Sequence, residues 1–370
     1  MKLERVIISG GGTGGHIFPA IAIADEIKRR FPTCHILFVG AEGKMEMERV
    51  PRAGYKIKAL PIQGFQRKLT LSNLKLPFKI IYSLLKARKI IKNFKPQLVI
   101  GVGGYASGPT LKMANLLGVP TLIQEQNSYP GKTNKLLASK AKAICTAYPN
   151  MERFFPKDLI HYTGNPVRAE MVDIIGKREK AIEHFKLDAD KPTILVIGGS
   201  LGAKTLNKAI KHGMEKLHEA NVQVLWQCGR LYHSDMAISV DRRKLSSIHL
   251  HQFIDKMDLA YACADVVISR AGAISVSELS LVGKPTILVP SPNVAEDHQT
   301  KNAMTLVNES AAILVEDQSA RSKLVQEALQ LLENVSLKQE LGKNILTFGK
   351  KQAAEQIVDV CISIAKKKWK

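Results

Sequence analysis

The chain has 370 residues and a formal net charge of +21, with 54 Lys and Arg against 33 Asp and Glu. This length predicts two domains, and a content of 45% hydrophobic and 24% charged residues argues against disorder. No apolar run of about 18 residues is present, so the sequence predicts no transmembrane helix.

Most of the positive charge falls in one stretch of the chain. Residues 49–151 hold 18 basic side chains and a single acidic one, Glu125. A surface so one-sided indicates a polyanionic partner, which leaves nucleic acid, an anionic membrane and phosphorylated substrates open.

The N-terminus and the cysteines indicate a cytoplasmic protein. Glu4 and a run of glycines stand where a secretory signal would have its apolar core, so we expect no such signal. The five cysteines are odd in number, widely spaced and form no CxxC pair. We therefore expect reduced thiols and no zinc site.

Short apolar, β-rich runs alternate with helical patterns along the whole chain. The first series of predicted strands is Arg5–Ser9, His35–Val39, Tyr55–Pro61, Gln97–Val102, Thr121–Gln126, Ala143–Ala147 and His161–Thr163. The second series is Thr193–Ile197, Gln223–Gln227, His249–Phe253, Val266–Ser269, Thr286–Pro290 and Ala312–Val315. This alternation predicts an α/β protein with two doubly wound parallel sheets, which bind ligands at the carboxyl ends of their strands.

A glycine-rich loop, residues 10–15, follows the first strand and precedes a helix in which Pro19 suits the first turn. Glycines let the backbone approach a ligand, and the N–H groups at a helix start favour phosphate. The spacing also fits the dinucleotide fingerprint GxGxxG, with Glu42 placed to hold a ribose hydroxyl. A nicotinamide-dependent oxidoreductase is therefore one reading, and a tight turn without a ligand is another.

Three more loops of the same kind follow strands, at residues 101–108, 198–203 and 269–273. Two loops in each half predict that both domains bind phosphate groups, one for each of two substrates. Glu278, one turn into the helix after the last loop, is placed to accept hydrogen bonds from ribose hydroxyls. Because Ser275 to Glu278 also match a capping box, a purely structural role for Glu278 stays open.

The basic stretch contains a helix, predicted over residues 77–95. Its core face is formed by apolar residues at helical spacing: Ile80, Leu84, Ala87, Ile91 and Phe94. A second apolar stripe, followed by cations, runs along the opposite side: Phe78, Ile81, Tyr82 and Leu85, then Arg88, Lys89 and Lys92. The stripe fits an interfacial membrane contact, and it fits equally well with packing beneath the preceding loop, residues 65–76.

Seven motifs taken together resemble the MurG family of peptidoglycan glycosyltransferases. They are GGGTGGHIFPA at 10–20, GVGGYASGP at 101–109, QEQNSYPGKTNK at 124–135, GNPVR at 164–168, GGSLGA at 198–203, SRAGAISVSELSLVGKPTILVP at 269–290 and EDHQTKNA at 296–303. The resemblance implies a GT-B fold, in which two Rossmann-like domains face each other across a cleft. It further implies an acceptor and membrane-associating domain over residues 1–163, a donor domain over 164–345, and a C-terminal helix over 346–370 that returns to the first domain.

The resemblance also implies the reaction and its partners. GlcNAc would pass from UDP-GlcNAc, with inversion, to the C4 hydroxyl of MurNAc in undecaprenyl-pyrophosphoryl-MurNAc-pentapeptide, converting lipid I to lipid II for the cell wall. The enzyme would need no metal or other cofactor and would sit peripherally on the cytoplasmic face of the bacterial inner membrane. Anionic lipid, and not nucleic acid, would then be the partner of the basic surface.

Site residues are carried over by position. In the first half the resemblance assigns substrate contacts to Thr13, Gly14, Gly15, Tyr105 and Asn127. It assigns Arg168 and Ser200 to the diphosphate side, the backbone of Ile254 to uracil, and Gln299 to the donor sugar. It assigns the phosphates and the ribose to the segment Ala273, Ile274, Ser275, Val276, Ser277 and Glu278.

His16 is our candidate for the general base that takes the proton of the attacking hydroxyl. An unperturbed imidazole has a pKa near 6.5, and His16 lies on the first glycine loop. The alternative is a structural histidine that is hydrogen-bonded within that loop. Two other functions stay open at this stage: a different nucleotide-sugar enzyme of the GT-B class, such as a glycolipid glycosyltransferase or an epimerase, and a nucleic-acid binder suggested by charge alone.

Overall fold

A computed structural model describes residues 2–62, 76–199 and 201–365 of the chain. The chain divides into two compact units: unit 1 comprises Met1–Val167 and Gln352–Lys370, and unit 2 comprises Arg168–Lys351. Each unit contains one parallel sheet with connecting helices, so the predicted α/β class with two doubly wound sheets is confirmed.

Unit 1 is built on a seven-stranded sheet of order β3-β2-β1-β4-β5-β6-β7. Its strands are β1 (Arg5–Ser9), β2 (His35–Ala41), β3 (Lys56–Leu60), β4 (Leu98–Gly101), β5 (Thr121–Glu125), β6 (Ala143–Thr146) and β7 (Ile160–Tyr162). Its helices are α1 (Gly14–Arg30), α2 (Glu46–Arg52), α3 (Leu76–Phe94), α4 (Ser107–Leu116) and α5 (Lys132–Leu137), joined at the end of the chain by α15 (Ala353–Ile364).

Unit 2 is built on a six-stranded sheet of order β10-β9-β8-β11-β12-β13. Its strands are β8 (Thr193–Ile197), β9 (Gln223–Gln227), β10 (Ile248–His251), β11 (Val266–Ser269), β12 (Thr286–Leu288) and β13 (Ile313–Leu314). Its helices are α6 (Ala169–Val172), α7 (Arg178–Phe185), α8 (Lys204–Glu219), α9 (His233–Arg243), α10 (Met257–Cys263), α11 (Ala273–Val282), α12 (His298–Val307), α13 (Ala320–Glu333) and α14 (Val335–Leu346).

Every strand predicted from the sequence is present, with each end within two residues of its predicted position. The start of α1 differs, however, because the helix begins at Gly14 and not at Pro19. Pro19 therefore lies inside α1 instead of in its first turn. Because proline has no N–H group, the helix lacks one intrahelical hydrogen bond at this position.

The buried face of α3 also differs from the prediction near its start. Ala87 and Ile91 are 1% exposed as predicted, but Ile80 is 40% exposed. The fully buried Ser83 takes the next position toward the N-terminus, so the core contact of α3 follows Ser83, Ala87 and Ile91. In the alternative interpretation the outer stripe packs beneath the preceding loop, and residues 65–75 of that loop lie outside the described residues.

The C-terminal helix α15 packs in unit 1 against α1. Ile357, Val358 and Cys361 are fully buried in the core of that unit. Arg30 of α1 fixes the contact by donating to the Asp359 carboxylate and, at 3.1 Å, to the Glu355 carbonyl oxygen.

Both points where the chain passes between units lie a few residues beyond the expected boundaries. Asn165 stays with unit 1, because its side chain accepts from Gln124 Nε2 at 2.9 Å and donates to the Gln126 carbonyl oxygen at 3.0 Å. Gly349 stays with unit 2, where a Cβ on it would lie 2.6 Å from the Ser280 carbonyl oxygen.

The state of the cysteines and the character of the helices follow directly from the structure. All five cysteines are buried and free of disulfides. Within residues 2–62, 76–199 and 201–365, none of the helices combines the length and the apolar content that crossing a bilayer requires.

Candidate active site

The four glycine loops lie at the points where the strand order of each sheet reverses. The loops at residues 10–15 and 101–108 follow β1 and β4, which are neighbours in the first sheet. The loops at 198–203 and 269–273 follow β8 and β11, which are neighbours in the second sheet. Doubly wound sheets bind ligands at this position, because the connections diverge there and leave a crevice at the carboxyl ends of the strands.

The two loops of unit 1 touch backbone to backbone. A Cβ on Gly104 would lie 2.3 Å from the Gly11 carbonyl oxygen, and one on Gly10 would lie 2.9 Å from the Gly103 carbonyl oxygen. Gly103 and Gly104 also have positive φ angles of 91° and 86°, a region that favours glycine. Only glycines can therefore bring the ends of β1 and β4 this close.

The first loop passes directly into α1. Thr13 is the residue before the helix, and its carbonyl oxygen accepts from the N–H groups of His16 and Ile17 at 3.1 and 3.2 Å. Gly14 and Gly15 precede these bonds, so their N–H groups have no partner inside the helix. Together with the helix dipole, such groups favour an anionic ligand.

His16 is oriented by the first loop itself. Its Nδ1 lies 2.9 Å from the Gly11 carbonyl oxygen and 3.4 Å from Thr13 Oγ1. Because a carbonyl oxygen only accepts, this contact assigns the hydrogen to Nδ1, and the neutral ring then presents its basic nitrogen at Nε2. The ring edge with Nε2 and Cδ2 faces Gly103, where a Cβ would approach both atoms to 2.9 Å. His16 can therefore be hydrogen-bonded within the loop through Nδ1 and still act as a base through Nε2.

Glu125, the one acid of the basic stretch, organises the loop that carries Asn127. It is 1% exposed, and its Oε1 accepts from the backbone N–H of Asn127 at 3.0 Å and from Asn127 Nδ2 at 3.3 Å. Its Oε2 accepts from Gly131 N–H at 3.1 Å and from Asn134 Nδ2 at 2.8 Å. Burial raises the pKa of Glu125, and these donors act in the opposite direction.

This loop adjoins the glycine loops. Gln126 Nε2 donates to the carbonyl oxygen of Val102, at the end of β4, at 2.8 Å. Tyr105 in the second glycine loop is 49% exposed. The structure therefore groups the predicted residues of unit 1 at the carboxyl ends of β1, β4 and β5.

In unit 2 the loop after β8 is held by a similar backbone contact. A Cβ on Gly202 would lie 2.1 Å from the Cys228 carbonyl oxygen, which follows β9. Asn207, in the first turns of α8, donates from Nδ2 to that same oxygen at 2.8 Å. Ser200, predicted to contact the diphosphate, lies outside the described residues.

The last glycine loop leads into α11, which begins at Ala273 with Gly272 as its N-cap residue. Ser275 is therefore inside the first turn and cannot act as an N-cap, so the capping-box reading of Glu278 is wrong. Helix-start N–H groups come instead from the first of the predicted residues: Ala273, Ile274 and Ser275. Of the others, Val276 is buried in the core, and the Ser277 hydroxyl donates to the Ala273 carbonyl oxygen at 3.0 Å.

Glu278 contacts a tyrosine that sequence analysis did not identify. The hydroxyl of the buried Tyr261 donates to Glu278 Oε2 at 3.1 Å. Desolvation raises the pKa of Glu278 to about 7, and the Tyr261 hydrogen bond and the positive charge of Arg168 oppose that rise. Helix α6, which begins directly after Arg168, contacts α11, the helix that contains Glu278.

Of the other predicted residues of unit 2, Ile254 lies in a loop and Gln299 lies in the first turn of α12. Ile254 follows β10, and its N–H donates to Gln227 Oε1 at 2.8 Å. Gln299 follows β12, and its Oε1 accepts from the Ser291 N–H at 2.8 Å. Arg270, which is not a predicted site residue, donates to the Val289 carbonyl oxygen at 2.9 Å and to the Asp317 carboxylate at 2.5 Å, and these bonds tie the last glycine loop to the segments that follow β12 and β13.

Across the described ranges, no group of three or more His, Cys, Asp or Glu side chains is arranged to hold a metal ion. Asp188 and Asp190, which resemble a metal-binding DxD, form a turn in which the Asp190 N–H donates to Asp188 Oδ1 at 3.1 Å.

Comparison with known proteins agrees with this arrangement. The N-terminal domain of glycosyltransferase family 28 matches residues 6–146, and the C-terminal domain of that family matches residues 193–357. The chain is 54% identical over 364 residues to a Flavobacterium psychrophilum protein, covering 98% of each chain. It is 56% identical over 363 residues to a Cytophaga hutchinsonii protein, covering 98% of this chain and 97% of the relative. Both relatives are named UDP-N-acetylglucosamine–N-acetylmuramyl-(pentapeptide) pyrophosphoryl-undecaprenol N-acetylglucosamine transferase.

Among solved structures, MurG of Acinetobacter baumannii aligns with a TM-score of 0.79 at 32% identity. That alignment covers 97% of this chain and 99% of the other. Two doubly wound units with paired glycine loops thus define a glycosyltransferase of the GT-B class. Within that class, the chain belongs to glycosyltransferase family 28 and to its MurG enzymes. The oxidoreductase reading of the first glycine loop is thereby excluded.

The Glu125 contacts generate a prediction about local stability. In Glu125→Gln an amide group replaces one acceptor oxygen and faces N–H donors, which leaves buried donors unpaired. We expect backbone hydrogen exchange in residues 124–135 to accelerate about tenfold or more, corresponding to about 1.4 kcal/mol of local opening free energy.

Hydrogen-exchange mass spectrometry on the full chain measures this effect. Glu152→Gln, at an exposed position in the same unit, is the matched control and should leave exchange in this segment unchanged. Equal exchange in wild type and Glu125→Gln would show that the carboxylate does not hold the loop.

Proposed function

We propose that this chain carries out the reaction for which its relatives are named: it transfers GlcNAc from UDP-GlcNAc to lipid I and so forms lipid II. The observation that supports this most strongly is the pairing of glycine loops at the strand-order reversal of both sheets, which provides phosphate-binding N–H groups in each unit. Both substrates, a nucleotide sugar and a lipid pyrophosphate, carry a diphosphate.

Unit 2 binds the donor. The N–H groups at the start of α11, together with Arg168 and the loop holding Ser200, take the diphosphate and stabilise it as the leaving group. Glu278 accepts hydrogen bonds from the ribose hydroxyls. Because the Ile254 N–H already donates to Gln227, the Ile254 carbonyl oxygen is the backbone group that receives the uracil N–H.

Unit 1 binds the acceptor and supplies the base. Asn127, Tyr105 and the Thr13–Gly15 segment position the sugars. His16 Nε2 accepts the proton of the MurNAc C4 hydroxyl as that oxygen attacks the anomeric carbon from the face opposite UDP. The new bond is β, the C1–O bond to UDP breaks, and the departing diphosphate carries the bonding electron pair.

The decisive experiment is transfer of labelled GlcNAc from UDP-GlcNAc to lipid I with EDTA present. We expect wild-type turnover without divalent metal, and a kcat reduced about 10²- to 10⁴-fold in His16→Ala with little change in donor KM. His35→Ala, an exposed histidine of the same unit, is the control. A normal kcat in His16→Ala would contradict the assignment of His16 as the base. Turnover without lipid I would contradict the assignment of lipid I as the acceptor.

Donor binding should depend on pH through Glu278. The carboxylate accepts hydrogen bonds and the protonated form does so less well, so the KM for UDP-GlcNAc should rise as the pH falls through about 7. Tyr261→Phe removes a hydrogen bond that lowers the pKa of Glu278, so it should move this inflection to higher pH.

Steady-state kinetics from pH 5.5 to 9 test both expectations. Glu278→Gln should abolish the inflection and raise the donor KM at high pH, and the exposed Glu333→Gln should behave like wild type. An unchanged profile in Glu278→Gln would assign the pH dependence to another group.

The exposed apolar residues of α3 support peripheral membrane binding. Phe78, Ile81, Tyr82 and Leu85, the α3 apolar patch, are 75, 56, 58 and 61% exposed. Arg88, Lys89 and Lys92 continue the exposed side of the helix, which contains no acidic residue. Each such cation near anionic lipid contributes about 1 kcal/mol, and the apolar side chains enter the interface. The patch thus docks the enzyme on the cytoplasmic face of the inner membrane, where the lipid-linked acceptor resides.

Liposome flotation tests the membrane contact. We expect Phe78→Ser combined with Leu85→Ser to weaken binding to vesicles of anionic lipid while sparing activity on a short-chain acceptor. Ile175→Ser combined with Val335→Ser removes equally exposed apolar side chains from unit 2 and serves as the control. Unaltered flotation of the α3 variant would contradict membrane docking by this patch.

A further inference from the structure

A buried carboxylate lies beneath the first glycine loop, and the mechanism above does not use it. Glu46, the first residue of α2, is 1% exposed. Its Oε2 accepts from the Gly12 N–H at 2.8 Å, and its Oε1 accepts from the Ala41 N–H at 2.9 Å. One carboxylate thus joins the glycine loop after β1 to the end of the neighbouring strand β2.

Two glycines make room for this side chain. A Cβ on Gly40 would lie 2.5 Å from Glu46 Cγ, and a Cβ on Gly11 would lie 2.2 Å from the carboxylate carbon. Contacts this short exclude any larger residue at either position without displacing the carboxylate. Glu46 is therefore closely packed between β2 and the loop, and its two acceptor atoms are set by the backbone around them.

The peptide unit that Glu46 holds is the one that orients His16. The N–H of Gly12 belongs to the same peptide group as the carbonyl of Gly11, and that carbonyl oxygen accepts from His16 Nδ1 at 2.9 Å. The two hydrogen bonds leave this planar group on opposite sides. A rotation of the peptide would break both bonds together.

The opposite side of this arrangement is closed by the second glycine loop. Gly104 lies against the Gly11 carbonyl oxygen, and Gly103 lies against the His16 ring. With Glu46 on one side and these glycines on the other, the Gly11–Gly12 peptide has one orientation. The hydrogen therefore stays on His16 Nδ1, and Nε2 remains the nitrogen that can accept a proton.

We propose that Glu46 is a positioning residue for the transfer reaction: by holding the Gly11–Gly12 peptide, it fixes the tautomer and the orientation of the His16 ring. This inference rests on the proposed role of His16 as the base. Glu46 itself touches neither substrate nor the reacting atoms.

Glu46→Gln tests the proposal with the least change in shape. The amide keeps one acceptor oxygen, but its NH₂ group must face either Gly12 N–H or Ala41 N–H, where it can only donate. Because small misplacements of a catalytic group are costly, we expect kcat to fall about tenfold or more, with donor KM within about twofold of wild type. Glu48→Gln, on the same helix but 60% exposed, is the matched control.

A double-mutant cycle distinguishes positioning from a general structural effect. If Glu46 acts through His16, Glu46→Gln should lower kcat in the wild-type background and have little further effect, under about twofold, in His16→Ala. An equal loss in both backgrounds, or a normal kcat in Glu46→Gln alone, would overturn the proposal. A normal kcat in His16→Ala would instead count against the base assignment itself.

NMR spectroscopy detects the tautomer of His16 independently of enzymatic turnover. In protein labelled with ¹⁵N-histidine, the ring signals absent from His16→Ala belong to His16 and should report a hydrogen on Nδ1. Glu46→Gln should shift these signals toward a mixture of tautomers, and an unchanged tautomer would contradict the inference.

Glu46→Asp is a second variant that tests the proposal in case Glu46→Gln does not fold. It keeps the charge, but it is one methylene shorter and cannot reach both N–H groups, so it should repeat the kinetic pattern of Glu46→Gln. If both variants fail to fold while Glu48→Gln folds normally, Glu46 serves stability and the positioning role is wrong.

Discussion

Backbone contacts between neighbouring loops are the constraint on which both sites depend. In unit 1 the backbone of Gly104 packs directly against the Gly11 carbonyl oxygen. In unit 2 the backbone of Gly202 packs against the Cys228 carbonyl oxygen in the same way. A methyl group at Gly104 or Gly202 would lie closer than 2.5 Å to a backbone oxygen, so a larger residue would push the strand ends apart. The close approach places several backbone N–H groups at one sheet edge, and such groups favour a phosphate ligand.

Three buried or partly buried glutamates accept hydrogen bonds at the carboxyl ends of the sheets, and they differ in the donors of those bonds. Glu46 and Glu125 accept from backbone and amide N–H groups of neighbouring segments, so the fold itself supplies the donors of both carboxylates. Glu278 accepts the hydroxyl of Tyr261, and desolvation keeps its pKa near 7. The first two are suited to rigidity, whereas Glu278 retains acceptor capacity for a ligand.

The net charge of +21 is explained largely by unit 1. Its basic stretch includes α3, whose buried stripe of Ser83, Ala87 and Ile91 is narrow because two of its three side chains are small. The larger apolar residues of the first turns of α3 therefore face outward, beside lysines and arginines. Within the described residues, the core of unit 1 therefore covers one of the two apolar stripes of this helix.

The sequence alone determined the strands, the class of fold and the glycine loops, because alternation of apolar runs and loop composition are local properties of the chain. It also indicated His16 and Glu278 by their spacing from those loops. It did not indicate Glu46, which lies 34 residues from Gly12, or Tyr261, which reaches Glu278 from another helix. Only the tertiary structure decided these contacts, since parallel strands that pair side by side bring together loops that are distant in sequence. For the same reason, only packing revealed that Ile80 is exposed while Ser83 is buried.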